Sequence, residues 1–444
     1  MDEAVVDRLL HKHFSFFKKH PLGKDKFLTF RIPNPRVEKQ FRLARAFMVI
    51  ITSSQLAESL GFTDPPIFET ILPLTETPEE IIDLQEAFRM LVAVDHKLLK
   101  MKDSLQHIEI IPLSEQVDKI LNSPTLISRY IELHEKKFGS IPEYLRPYCA
   151  RSDPALNSGI VPTMLAITYA LSAYKELEKK IGIKLYPMVG TGSLPFRGGV
   201  TPDTVDETMD KYAGVSTLII QSAFRYDYSL QSVKSAIGRF NKELQKKKAR
   251  PISKEQEVGI RKVVPLFTKP YQHAVEVLSP VINSISREVV RRRERVQHIG
   301  LFGYSRGIGS VSLPRAIPFT ASLYSIGIPP EIIGTGCGIR EAKKQGLWKE
   351  VVSVYPYLKS DLIRAGYFLN RDNVRRMISY RPELKGLSSD IDEIENELGI
   401  HLGPVNANHE EHEKLSEKTF QYWKEKKPLE DLITHSGYLR KSLG

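Results

Sequence analysis

Glu115 and Asp153 are the carboxylates whose settings suggest chemistry. Each follows a short apolar run, in IEIIPLSE and LRPYCARSD. Two such groups could hold a hard divalent cation such as Mg2+ through oxygen, with water and a substrate oxygen completing an octahedron. Arg31, Arg197, Arg225 and Arg306 occur in or just after other runs of this kind, together with Glu69 and Gln221. A planar guanidinium fork matches carboxylate and phosphate, so the arginines point to a multiply anionic ligand. Plainer readings stand beside these. Asp153, directly before a proline, reads as a helix N-cap, and a lone strand-end arginine more often makes a surface ion pair. GTGSLPFRGG (190–199) needs small residues but matches no phosphate-loop pattern. HEEH (409–412) lacks the spacing of a zinc metalloprotease helix and reads as a solvated helix, and two cysteines are too few for a zinc site.

These residues need elements that bring distant positions together. Apolar, β-branched runs read as strands at 27–35, 67–75, 108–115, 145–153, 185–199, 216–227, 298–307 and, with a weaker pattern, 317–327. Between them, 77–101, 158–182 and 206–214 carry helical spacing with capping starts. Alternation of this kind predicts an α/β fold with a parallel sheet. Seven or eight strands suit a (β/α)8 TIM-type barrel, and the absence of a glycine-rich dinucleotide fingerprint argues against an open doubly wound sheet. In a barrel the C-terminal strand ends share one mouth, which would gather Arg31, Glu69, Glu115, Asp153, Arg197, Gln221, Arg225 and Arg306. Residues 228–297 and 338–444 read as helical additions to a single domain spanning 1–444.

Composition bounds the alternatives. The 444 residues are 41% hydrophobic and 26% charged, enough for a large core, and Gly 27, Pro 28 and Cys 2 exclude collagen-like, disordered and disulfide-stapled classes. No secretory leader or uninterrupted apolar span is present, so a protein of the reducing cytoplasm, with no membrane partner, is expected. The net charge of +11 is concentrated in 239–262 and 287–295, where acidic residues are mixed in and aromatics are not interleaved. That is the pattern of a solvated face and not of a nucleic-acid groove.

The runs FLTFRIPNP, PPIFETILPLT, IPLSEQVDKIL, ARSDPALNSGIVP, GSLPFRGG, QSAFRYD, LPRAIPF and the final LRKSLG, in this order, resemble archaeal-type phosphoenolpyruvate carboxylases along essentially the whole chain. The resemblance implies a homotetrameric α/β barrel with extra helices. It implies a carbon-carbon lyase class enzyme, anaplerotic in role, that carboxylates phosphoenolpyruvate with bicarbonate to oxaloacetate and phosphate, using Mg2+ or Mn2+. By the same resemblance Glu115 and Asp153 hold the metal, and Arg197 and Arg31 serve catalysis. Arg306, Arg315 and Arg225 contact substrate, and Arg440 is a further basic candidate. Ser114 stands where the family usually has an aromatic residue, a difference that touches packing and not the ligand.

The chemistry implied is attack of bicarbonate on the phosphorus, giving carboxyphosphate and the pyruvate enolate, with the cation stabilising the developing enolate oxygen. In the family a histidine in an HPD segment near the N-terminus takes the proton. This chain has no HPD segment, and DEAVVDRLLHKHFSFF resembles the helix that follows it, so the first barrel strand is also expected to be incomplete. A start at an internal methionine of a longer coding sequence is the expectation. A non-catalytic binding or oligomer-forming subunit, a base supplied from elsewhere, and a metal-dependent lyase or aldolase acting on pyruvate-like enolates are the alternatives.

Overall fold

The computed structural model describes residues 4–96, 99–100, 105–291, 306–308 and 311–444. Its centre is a six-stranded sheet formed by β1 (Phe30–Arg31), β2 (Glu69–Leu72), β3 (Glu109–Ser114), β4 (Tyr148–Ala150), β5 (Met188–Gly190) and β6 (Thr217–Ile219). Spatial order equals chain order, and every neighbouring pair is parallel. The crossovers include the helices Gln40–Ser59, Pro78–Val92, Val117–Phe138, Ile160–Ile181 and Val205–Lys211. Burial on both faces explains why the strands read as apolar runs without alternation. The Pro78–Val92 helix starts as its sequence predicts, with Thr77 accepting the Glu80 amide and Pro78 in the first turn.

The sheet is strongly curled, and one side chain shows by how much. Arg146, just before β4, donates both to Glu69 at the start of β2 and to Thr217 Oγ1 at the start of β6, the latter at 3.2 Å. Those strands are four places apart, roughly 19 Å in a flat sheet at ~4.8 Å per strand, well beyond one arginine. The concave side is filled by Ile71, Ile111, Leu113, Tyr148, Ala150 and Met188. Helices pack on the convex side and build the larger core.

One of the expected strands, 298–307, falls mostly outside the described residues, and another, 317–327, differs. Residues 298–305 lie outside the described residues, and Arg306–Ile308 pairs antiparallel with Val311–Leu313 in a hairpin, apart from the parallel sheet. The run at 317–327 is not a strand but the helix Ala316–Ser325. Ala316, Phe319, Thr320, Ala321, Ser322, Leu323, Tyr324 and Ser325 are all buried there, so no polar face marked a helical period in the sequence. The described residues therefore give six parallel strands of a curled sheet.

Among the described residues, 228–291 and 338–444 are mainly helical. The longest helix, Lys254–Ile285, packs on Ile160–Ile181, Ala316–Ser325 and Thr335–Lys344, and begins in a capping box between Ser253 and Gln256. It tolerates internal prolines because Pro265 and Pro280 are exposed, where freed carbonyls meet water. At Pro280 the Ser279 hydroxyl donates to the Glu276 carbonyl at 2.8 Å, supplying the missing bond. Among the described residues no helix is long and apolar enough to cross a membrane.

Candidate active site

Glu115 emerges at the C-terminal end of β3 and is 7% exposed. Its Oε2 accepts the Leu74 amide at 3.0 Å, and its Oε1 lies 3.7 Å from the Arg31 guanidinium at the end of β1. Leu74, with φ 53°, is held in a left-handed conformation that leucine rarely adopts, at a typical cost of about 1–3 kcal/mol. Its carbonyl takes donors from Arg36 (2.8 Å) and Asn34 (3.4 Å), and Asn34 also donates to the Pro73 carbonyl (2.9 Å). The PNPR stretch after β1 thus fixes the turn after β2, and that turn aims an amide at the carboxylate after β3.

Asp153 and Tyr148 complete the surroundings of Arg31. Burial works against the guanidinium charge, but Glu115, Tyr148 and Asp153 outweigh it and hold Arg31 above its ordinary range. Burial pushes the Tyr148 phenol up, opposed by the Arg31 charge. Asp153 is not the N-cap expected: the helix is Ser152–Ser158, with Arg151 at the N-cap position but no side-chain cap, and Asp153 lies in its first turn. The Arg151 side chain is buried in the core, where it donates to the carbonyls of Phe196 (2.9 Å) and Pro195 (3.1 Å).

Those two carbonyls belong to the loop that presents Arg197. A 3-10 turn, Pro195–Arg197, ends in this arginine, which is 4% exposed. Its Nε donates to Ser152 Oγ at 3.2 Å, and its terminal nitrogens donate to Gln221 Oε1 and to the main-chain oxygen of Gly444. Ser152 adjoins Asp153, so the arginine loop and the carboxylate pair are contiguous. The glycines have specific reasons: a Cβ on Gly192 would stand 3.0 Å from the Arg197 side chain, and Gly198 adopts φ 125°.

The other expected positions are scattered. Glu69 is at the opposite end of the sheet, a correction to the mouth assignment: β2 begins at Glu69, whose carboxylate takes Tyr144 (2.8 Å) and Arg146 as partners. Arg225 lies on the short helix after Gln221, exposed against the Tyr226 ring, beside a cavity of about 340 Å³. Arg315 is an exposed N-cap residue of Ala316–Ser325. Arg306 begins a hairpin whose backbone packs on the Ser152–Ser158 helix that carries Asp153; its side chain is not among those described. Arg440 is buried and donates to His412 at 2.8 Å, so the 409–412 segment is not a purely solvated face. Burial and the neighbouring Arg440 charge hold His412 well below the usual imidazole range. His107, which precedes β3 at the end of the sheet away from Glu115, pairs with Glu109 at 3.1 Å.

Tyr148, Arg151 and Glu331 were not singled out in the sequence. Arg151 stands inside the quoted ARSD run, and a cation directly after the apolar run YCA is the available signal. Among the described residues no three His, Cys, Asp or Glu side chains gather as a metal site. Two carboxylates beside the same guanidinium do fit a hard cation that keeps waters and takes its remaining ligands from substrate.

A family model described as phosphoenolpyruvate carboxylase matches residues 1–444. A phosphoenolpyruvate carboxylase of Metallosphaera sedula is 36% identical over 464 aligned positions, covering 100% of this chain and 89% of that protein. The protein of the same name from Oenococcus oeni is 34% identical over 416 residues, covering 94% and 82%. Its namesake from Pyrococcus abyssi is 40% identical over 349 residues, covering 75% and 71%.

Proposed function

Since the chain belongs to the archaeal-type phosphoenolpyruvate carboxylase family, we propose that it catalyses the carboxylation of phosphoenolpyruvate by bicarbonate to oxaloacetate and phosphate. The observation that supports this reading in the fold is the contiguous cluster of Arg31, Glu115, Asp153 and Arg197 at one end of a curled parallel sheet. We read the sheet as the larger part of a (β/α)8 barrel, the enzyme as a cytoplasmic homotetramer with an anaplerotic role, and the cation as Mg2+ or Mn2+.

Glu115 and Asp153 would hold the cation, which when bound supplies charge stabilisation for the enolate oxygen. Arg31 and Arg197 face the anionic groups. Neither loses its proton at working pH, so each can offset charge on a transferring phosphoryl group and then on the carboxylate that forms. Bicarbonate oxygen attacks phosphorus, the enolate leaves, and carboxyphosphate divides into CO2 and phosphate as its carboxyl proton passes to a phosphate oxygen. The enolate carbon takes up CO2 before water delivers a proton to it. Burial of Glu115 and Arg197 gives the dry setting that this order of events needs. Arg306, Arg315 and Arg225 are assigned to substrate binding around this cluster.

The test is oxaloacetate formation by the purified protein, coupled to NADH oxidation through malate dehydrogenase. Turnover should require phosphoenolpyruvate, bicarbonate and a divalent cation together. Glu115→Gln and Asp153→Asn should each lower kcat/KM by about 10²-fold or more. Turnover without bicarbonate would replace this reading with a lyase acting on enolates, and unchanged metal dependence in both variants would remove the site assignment.

A further inference from the structure

Behind the arginine loop lies a carboxylate that the reaction does not use. Glu331 is fully buried (0% exposed), yet its Oε1 accepts two bonds: from the Phe196 amide at 2.6 Å and from the Tyr324 hydroxyl at 2.6 Å. Its Oε2 has no hydrogen-bond partner. The Phe196 carbonyl accepts from Arg151, so both polar groups of this residue's backbone are pinned from opposite sides, by an anion-forming acceptor and a cationic donor. The next residue is Arg197.

We propose that Glu331 is a positioning residue for Arg197, acting through the Phe196 amide. The inference rests on the assignment of Arg197 to the site, and no substrate atom needs to touch Glu331. Residues 195 and 196 have their main-chain oxygens on Arg151, and only Glu331 holds the amide between them. Without that acceptor the turn can rotate about its remaining anchors, and the guanidinium leaves the alignment set by Ser152 and Gln221.

The environment makes the grip sensitive to pH. Burial is the largest influence on Glu331 and pushes it up to about 7, opposed by the Tyr324 hydroxyl and the Phe196 amide. The groups that face it are Tyr324 from Ala316–Ser325, Tyr271 from Lys254–Ile285, Asp361 from Leu358–Gly366, and Arg440 across the Tyr324 ring. Both phenols are held well above their ordinary values and stay neutral, while Asp361 is paired with Lys211 at 2.7 Å. Glu331 is pushed up to about 7, and an ionised acceptor binds an amide about twice as strongly as a neutral one.

Glu331→Gln keeps an amide oxygen as acceptor without the charge, and Glu331→Leu removes the acceptor. In full-length protein the Leu variant should lose on the order of 10-fold to 10²-fold in kcat, the scale of a misplaced catalytic group. The Gln variant should stay within about 3-fold of the parent at pH 6 and lose the parent's rise in kcat between pH 6 and 8. Hydrogen exchange of the 192–199 segment, read by mass spectrometry, needs no substrate: protection should fall in the Leu variant and persist in the Gln variant. Unchanged exchange in the Leu variant would overturn the positioning role. Equal loss of kcat in both variants at every pH would do the same, since the acceptor retained by Gln would then have no effect. Should the parent protein show no carboxylation, the functional reading fails, and the exchange result still decides the role of Glu331.

Discussion

At the scale of single residues, the candidate site depends on close approaches more than on unusual side chains. Gly192 leaves the space that Arg197 fills, with an added Cβ only 3.0 Å from its Cβ and Cζ. Gly192→Ala should therefore displace the guanidinium while the backbone, which has ordinary φ there, accepts alanine. The expected result is a loss on the order of 10²-fold in kcat/KM. A melting temperature within about 3 °C of the parent would accompany it, as measured by differential scanning fluorimetry. Loss of folding together with loss of rate would show that the space serves packing instead. Leu74 uses the same economy: one strained residue, anchored by Asn34 and Arg36, turns a backbone amide into a ligand for Glu115.

At the scale of elements, the C-terminal helices are tied together by a buried acid. Asp390, on the Gly386–Leu398 helix, accepts the amides of Gly334 (2.8 Å) and Cys337 (2.7 Å) at the start of the Thr335–Lys344 helix. Burial, opposed by those amides, pushes it up to about 7. Unfolded aspartate loses its proton near pH ~3.9, so between that point and about 7 the native state holds the extra proton and stability falls as pH rises. Melting curves of parent and Asp390→Asn from pH 4.5 to 8 should show the parent's lead greatest in acid and shrinking through pH 7. A constant gap would refute this titration.

Legibility also divides by element. The strands β1 to β6 were readable because runs such as IEIIPLSE are apolar, short and bounded by turns. The Ala316–Ser325 helix was not, since burial on all sides erases the polar face that reveals a helical period. The candidates Glu115, Asp153 and Arg197 were picked out because they stand at or near the ends of such runs, and the structure brings them near one end of the sheet. Glu69 misled because it begins its strand, and sequence alone did not say where in the run pairing starts. Tyr148, Arg151 and Glu331 act through partners 44 to 135 positions away or through packing, which no local pattern encodes.

At the scale of the whole molecule, the curl of the sheet is secured from within. Arg146 spans β2 to β6, and Glu69 beneath it is 3% exposed. Arg146→Met would leave that carboxylate buried with only the Tyr144 hydroxyl as partner, and removing one partner of a buried ion pair typically costs about 3–5 kcal/mol. Urea denaturation of parent and variant measures it, and Glu69→Gln combined with Arg146→Met should recover part of the loss. No recovery in the double variant would show that Arg146 acts by packing alone. Arg146, Glu69 and Tyr144 also form a floor, and Ile111, Leu113 and Met188 fill the space above it. Among the described residues, a cup filled in this way has no rear exit between these strands. For the reaction proposed at the strand ends the consequence is kinetic: product has no way out between these strands, so a lingering product on the strand-end side is itself a stopper, and turnover is coupled to how quickly that side clears.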